Sequence, residues 1–206
     1  MDNVERFESL LSRVERPGMD KLMEYIRKSD FYTAPASTRF HLSVPGGLLQ
    51  HSLNVYDALR SILSENEDGS FSYNLAGKEV ARVSEENVII MSLLHDVCKT
   101  YFYKATEKWR KDENNKWQSY LGYEIEDKMP LGHGEKSAFI LDQYITLENC
   151  ERYAIRWHMG YPAENEAKYS FQAAIQLKPV VWALHTADAL ASSLMEDNEG
   201  NTEMFS

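Results

Sequence analysis

Six histidines occur in this chain of 206 residues, and four of them punctuate helix-like sequence: His51, His95, His133 and His158. His95 is followed at once by Asp96, at the end of the run Val88-Ile89-Ile90-Met91-Ser92-Leu93-Leu94. A segment that apolar should be buried, and an imidazole beside a carboxylate is costly to bury unless both are paired or bound to a metal. Asp188 likewise interrupts an apolar stretch, between Val181-Trp182-Ala183-Leu184 and Ala189-Leu190. Taken singly, each is most simply a hydrogen-bonded core group or a solvated one. The ordered set His51, His95-Asp96, His133, His158, Asp188 is harder to ascribe to coincidence. Imidazole and carboxylate together suit Mn, Fe, Co, Ni or Zn rather than the all-oxygen preference of Ca, and no thiolate set is offered. Lys99 puts a cation one turn after the pair, where it could meet an anionic ligand or serve as a helix C-terminal cation favoured by the dipole.

Weaker candidates surround this set. His185 lies three residues before Asp188, hence on the same helix face, as a core group or a partner to a ligand. His41 follows Phe40 in a loop and could line a site entrance or sit on the surface. Cys98 is most simply a small buried residue. Between Lys99 and Trp117 the chain carries Lys104, Lys108, Arg110, Lys111 and Lys116 against Glu107, Asp112 and Glu113. Interleaved with aromatic residues, cations such as Lys104 and Arg110 could steer a phosphate and stack a base, or the lysines could protect an exposed strand edge.

The elements expected to position these groups are mostly helical. Val4, Phe7, Leu10, Leu11 and Val14 have helical spacing, and Arg16-Pro17-Gly18 ends that segment. A second helix is expected from Met19 to Ser29, then a loop from Phe31 to Pro45. Gly46-Gly47 opens a third helix through about Leu63, and the polar stretch Glu65 to Gly77 is expected to be a connection. Ser84 with Glu85 and Glu86 makes an N-terminus for the buried helix, which should end near Lys99. Aromatic and β-branched residues from Tyr101 to Asp127 flank Asp112-Glu113-Asn114-Asn115 and predict a β-hairpin. Helices are expected from Gly134 to Ile145, from Leu147 to His158 before the breaker Gly160-Tyr161-Pro162, and from Pro179 to Met195. The acidic tail Glu196 to Ser206 is expected to fray. The organisation predicted is one domain over 1–206: N-terminal helices and loop over 1–45, a helical core over 46–195 with the hairpin at about 101–127, and the tail.

Composition narrows the class. Hydrophobic content of 43% and charged content of 26% suit a globular protein. No apolar run approaches the ~20 residues of a membrane span, and the N-terminus does not resemble a signal peptide. Two cysteines without a framework fit a reducing compartment, so the expected location is cytoplasmic. A net charge of −10 weighs against an extended nucleic-acid surface but leaves room for a local basic patch.

With these residues in order, the chain resembles the HD-domain superfamily of metal-dependent phosphohydrolases. The resemblance runs from about Gly46 to Leu194 and rests on GGLLQHSLNV, LLHDVCK, PLGHGEKS, IRWHMGYP and HTADALAS. It implies a mainly α fold, an HD-domain helical bundle, with the hairpin as an insertion after the His-Asp helix. It also implies two divalent transition-metal ions: one held by His51, His95, Asp96 and Asp188, the other by His133 and His158, with Asp96 bridging. Such a pair acidifies a bridging water and clamps the oxygens around phosphorus. Lys99 would bind a non-bridging phosphate oxygen. The GGLLQH opening looks most like the HD module of bacterial 3′–5′ exoribonucleases, but the residues before the motif region are too few for the OB domain found there. The expected substrate is therefore a phosphoester of a nucleotide or short oligonucleotide. The competing expectations are an HD-type di-iron oxygenase and a non-catalytic nucleotide-binding protein.

Overall fold

A computed structural model describes residues 2–163 and 165–196. Helix α1 (Asn3–Leu11) starts where the Asp2 side chain accepts from the Glu5 amide while the Glu5 side chain returns to the Asp2 amide, a reciprocal cap for two donors no helix turn can satisfy. Its Phe7, Leu10 and Leu11 face the core. Helix α2 (Met19–Lys28) buries Met19, Leu22 and Ile26 at the same spacing. Helix α3 (Gly47–Ile62) and helix α4 (Glu85–Leu94) are buried on most sides, so they form the centre of the fold. Helices α5 (His133–Leu141), α6 (Asn149–Trp157), α7 (Asn165–Leu177) and α8 (Val180–Leu190) follow, with a π-helical turn over Ala191–Met195. Helix α3 packs against α4 and α8, and α6 against α5 and α8, around one hydrophobic core. No helix among the described residues is long and apolar enough to cross a membrane.

A buried polar network ties α4 to α6 at their N-terminal ends. Glu151 is fully buried, receives Arg16 Nη1 at 2.7 Å on one oxygen and the Asn87 side-chain amide at 2.9 Å on the other. Arg16 also donates from Nε to Glu86 at 3.1 Å. Losing one partner would strand a buried charge, at a cost of about 3–5 kcal/mol. The two helices pinned at this end carry His95-Asp96 and His158 at the other.

The expected hairpin is present: β4 (Tyr103–Lys111) and β5 (Trp117–Ile125) pair antiparallel from Tyr103↔Ile125 to Lys111↔Trp117. Facing pairs share a side of the sheet, so this register puts Trp109, Trp117, Leu121 and Ile125 on one side. Lys104, Lys108, Arg110 and Tyr120 lie on the other.

Four expectations need correction. Glu65 to Gly77 is not a plain connection: β1 (Ser64–Glu65), β2 (Phe71–Leu75) and β3 (Lys78–Val83) form a three-stranded antiparallel sheet. Its strands are short and largely solvated, with few apolar anchors such as Phe71 and Val83, so the alternation that marks a half-buried strand is faint. Helix α7 was not expected, because it rests on few buried anchors, among them Phe171, whose ring meets Trp157, Tyr161 and Trp182. Helix α4 stops at Leu94, not near Lys99. Asp96 departs to φ −109°, ψ 19°, and Val97–Lys99 form a single 3₁₀ turn. Finally, the expected fraying tail begins with Glu196, which is buried; the remainder of that stretch, 197–206, lies outside the described residues.

Candidate metal centre

The cluster is assembled from helix ends. His51 lies one turn into α3, His95 caps the C-terminus of α4 with Asp96 next to it, His133 is the first residue of α5, and His158 caps the C-terminus of α6. Asp188 comes from α8. A Cβ on Gly134 would stand 2.2 Å from the Ile155 carbonyl oxygen and 2.5 Å from that of Arg156. Only glycine lets the start of α5 abut the end of α6 and bring His133 beside His158.

The two oxygens of Asp96 face different histidines. Oδ1 lies 2.7 Å from His133 Nε2 and 3.5 Å from His158 Nε2. Oδ2 lies 3.4 Å from His95 Nε2, 3.5 Å from His51 Nε2 and 2.6 Å from Lys99 Nζ. Asp188 Oδ1 approaches His51 Nε2 at 3.3 Å, and the Nε2 atoms of His51 and His95 are 3.3 Å apart. Three overlapping groups bring their donor atoms within 4.8 Å of one another: His51, His95 and Asp96; His95, His158 and Asp188; Asp96, His133 and His158.

Hydrogen bonds on the far side of the rings set the tautomers. His95 Nδ1 meets the Ser92 carbonyl at 2.8 Å and His158 Nδ1 meets that of Ile155 at 2.7 Å. A carbonyl only accepts, so each Nδ1 carries the hydrogen and each Nε2 turns a lone pair inward. His158 Nε2 is buried and has no hydrogen-bond partner among the described residues. An orphaned buried acceptor is costly, and a cation at this point would satisfy it. The donor set thus fits a divalent ion.

The electrostatics favour charged carboxylates here. At His158 burial is outweighed by Asp96 and Asp188, which raise it, so that a cation would compete with a proton at its Nε2. Burial would raise the Asp96 carboxyl, but Lys99, His95 and His133 hold it well below the usual carboxylate range. Burial also opposes ionisation of Asp188, yet His51 keeps it low. Burial pushes His95 down, as a neutral ligand requires. For His51 burial is outweighed by Asp188 and Glu196, which carry it up to about 9. Metal uptake must therefore displace a proton from His51. Lys99 is buried, and despite that burial its charge is maintained by Asp96.

The other candidates sort clearly. Lys99 contacts the cluster from its 3₁₀ turn, not as a helix-end cation exposed to solvent. His185 Nδ1 donates to the His158 carbonyl over 2.7 Å, its ring packed on bare Gly160 (φ +84°). His41 is edge-on to His51, with ring centres 4.8 Å apart. Cys98 Sγ lies 3.3 Å from His133 Nδ1, and burial pushes its thiol up to about 12, which leaves it protonated and unreactive. Lys104 and Arg110 are exposed on β4 and are not brought to the cluster; Arg110 instead covers the Tyr120 ring at 5.2 Å.

One residue escaped the sequence reading. Glu196 Oε1 accepts from His51 Nδ1 at 2.9 Å and from Asn54 Nδ2 at 3.1 Å, while Oε2 meets His41 Nδ1. His41, His51 and Glu196 form a fourth group of close donors. Its only signal in the sequence is an acid just beyond the last apolar helix, in a stretch rich in acids.

The HD domain family profile matches residues 48–192, a span that contains His51, His95, Asp96, His133, His158 and Asp188. Comparisons with curated proteins and with solved structures give no match. A profile covering most of the chain, with a buried His/Asp cluster able to hold metal at the motif positions, is sufficient to assign the family: this chain belongs to the HD domain family.

Proposed function

We propose that this protein is a metal-dependent phosphohydrolase that cleaves a phosphoester of a nucleotide or short oligonucleotide at a two-ion centre. The observation that carries the reading is the division of Asp96: one oxygen toward His133 and His158, the other toward His51, His95 and Lys99. In this reading His51, His95, Asp96 and Asp188 hold one ion, and Asp96, His133 and His158 hold the other. Two bound ions supply an acidified water and neutralise charge on the oxygens at phosphorus.

Lys99 gives the reading its substrate. Its ammonium is buried and, among the described residues, ion-paired only with Asp96 Oδ2, an oxygen that a cation would also claim. A buried ammonium requires an anionic partner, and a phosphate oxygen beside Asp96 supplies one. The same contact favours phosphate over dioxygen, and hence hydrolysis over a di-iron oxygenase. The hairpin serves as the outlying contact for a nucleotide chain, since Lys104, Lys108, Arg110 and Tyr120 share a face. The resemblance to exoribonuclease HD modules points the same way.

The test is a screen of mononucleotides, cyclic dinucleotides and short RNA and DNA with Mn, Fe, Ni and Mg, with Asp96→Ala as control. The expected result is turnover in the wild type, and loss of both ions and of turnover in the variant. Redox-active iron with oxygen consumption and no phosphoester cleavage would refute the proposal, as would tight nucleotide binding without turnover.

A further inference from the structure

We propose that Glu196 is the positioning residue for His51: an outer carboxylate that fixes this imidazole as a metal ligand, so that the turn after α8 completes the centre. The inference rests on the two-ion reading above. His51 is held at both nitrogens by one continuous segment, with Asp188 Oδ1 3.3 Å from Nε2 and Glu196 Oε1 2.9 Å from Nδ1. In an uninterrupted α-helix, residues with this separation would stand ~12 Å apart along the axis, far beyond the two nitrogens of one ring. The π-helical turn Ala191–Met195 and the extended backbone of Glu196 (φ −111°, ψ 107°) bring the second acid back to the same imidazole.

The carboxylate is itself locked. Asn54 donates to Oε1 at 3.1 Å, and the amide of Asn54 is oriented in turn by Gln50 Nε2 donating to its Oδ1 at 2.7 Å. The second oxygen engages His41. These contacts identify a hydrogen-bonding role and not direct ligation, because the Asn54 amide points a donor at the oxygen a cation would need. His95 and His158 use carbonyls of their own helices for the same purpose, Ser92 and Ile155. His51 differs in using a full negative charge, which makes its Nε2 a stronger donor to metal.

The experiment titrates the metal-free full chain with Co²⁺ and Zn²⁺, in competition with a chromophoric chelator, for wild type, Glu196→Ala and Glu196→Gln. Circular dichroism confirms that each is folded. The expected result is two ions in the wild type, with one of the two affinities reduced about 10- to 100-fold in the alanine variant. The visible Co²⁺ bands should shift with it. The glutamine variant keeps an acceptor without the charge, so it should fall between, and it remains informative if the alanine variant does not fold. Wild-type affinities and Co²⁺ bands in both variants would overturn the role of Glu196 while leaving the two-ion reading intact. A wild type that takes up three ions and loses one in the variants would overturn it too, by making Glu196 a ligand. A wild type that binds no divalent ion would refute the metal reading and this inference with it.

Discussion

Gly134→Ala puts a methyl group where the structure has no room. The new Cβ would stand 2.2 Å from the Ile155 oxygen and 2.5 Å from the Arg156 oxygen, both backbone atoms at the end of α6. Restoring ordinary contact requires α5 and α6 to separate by about 1 Å, and neither oxygen can rotate away as a side chain would. Helix propensity favours the change by roughly 0.5–1 kcal/mol, whereas overpacking costs about 1–3 kcal/mol, so the net effect is a loss of ~1–2 kcal/mol. For a chain of this size that lowers the melting temperature by roughly 2–8 °C. The functional effect should be larger than the stability effect. A 1 Å retreat of α5 opens the 2.7 Å contact between His133 and Asp96, and such misplacement can cost on the order of 100-fold in rate. Thermal unfolding of the metal-free variant, metal titration and turnover together test this. The expected pattern is modest destabilisation, weakened binding of one ion and a large loss of turnover. A variant with wild-type melting and full occupancy of both ions would refute the claim that this glycine sets the approach of His133.

The remaining predictions concern charge. Lys99→Ala should retain both ions by elemental analysis yet lose phosphoester turnover by at least about 100-fold; undiminished turnover would remove Lys99 from the reaction. The His51 pKa is raised from 6.5 to about 9 in the metal-free protein, so its contribution to stability is full below about pH 6.5 and disappears as the pH rises through 9. Urea midpoints of metal-free protein should therefore carry a component that falls from pH 6 to pH 9, while divalent-ion affinity rises over the same interval; a pH-independent affinity would contradict the displaced proton. Replacing Lys104 and Arg110 together by alanine should raise KM for a short oligonucleotide and flatten its salt dependence, with kcat for a mononucleotide unchanged. Equal effects on both substrates would argue against the hairpin as an outlying contact.

How much was legible depends on how local each signal is. Helices α1 to α6 and α8 were expected because their apolar spacing, caps and breakers lie within a few residues of one another. Ser84, followed by Glu85 and Glu86, shows this at the start of α4. The β4–β5 hairpin announced itself through aromatic strands around a polar turn. By contrast, the small sheet from Ser64 to Val83 is largely solvated on short strands, and α7 has few anchors, so neither left a period to find. Within the site, the ligand candidates were legible as residue types. Lys99 was visible as a cation, but its burial against Asp96 was not.

The sequence by itself determined the donor chemistry and its order: imidazoles and carboxylates at helix ends, with a cation after the central pair. Residue identity and short-range periodicity are properties of the chain alone. Only the tertiary structure decided how Asp96 divides its oxygens, because His133 lies 37 positions from Asp96 and His51 lies further still. It also brought Glu196 to His51 across 145 positions, with no local pattern to mark the pairing. Distances of about 3 Å between such residues are set by how helices pack, and packing is a property of the whole core.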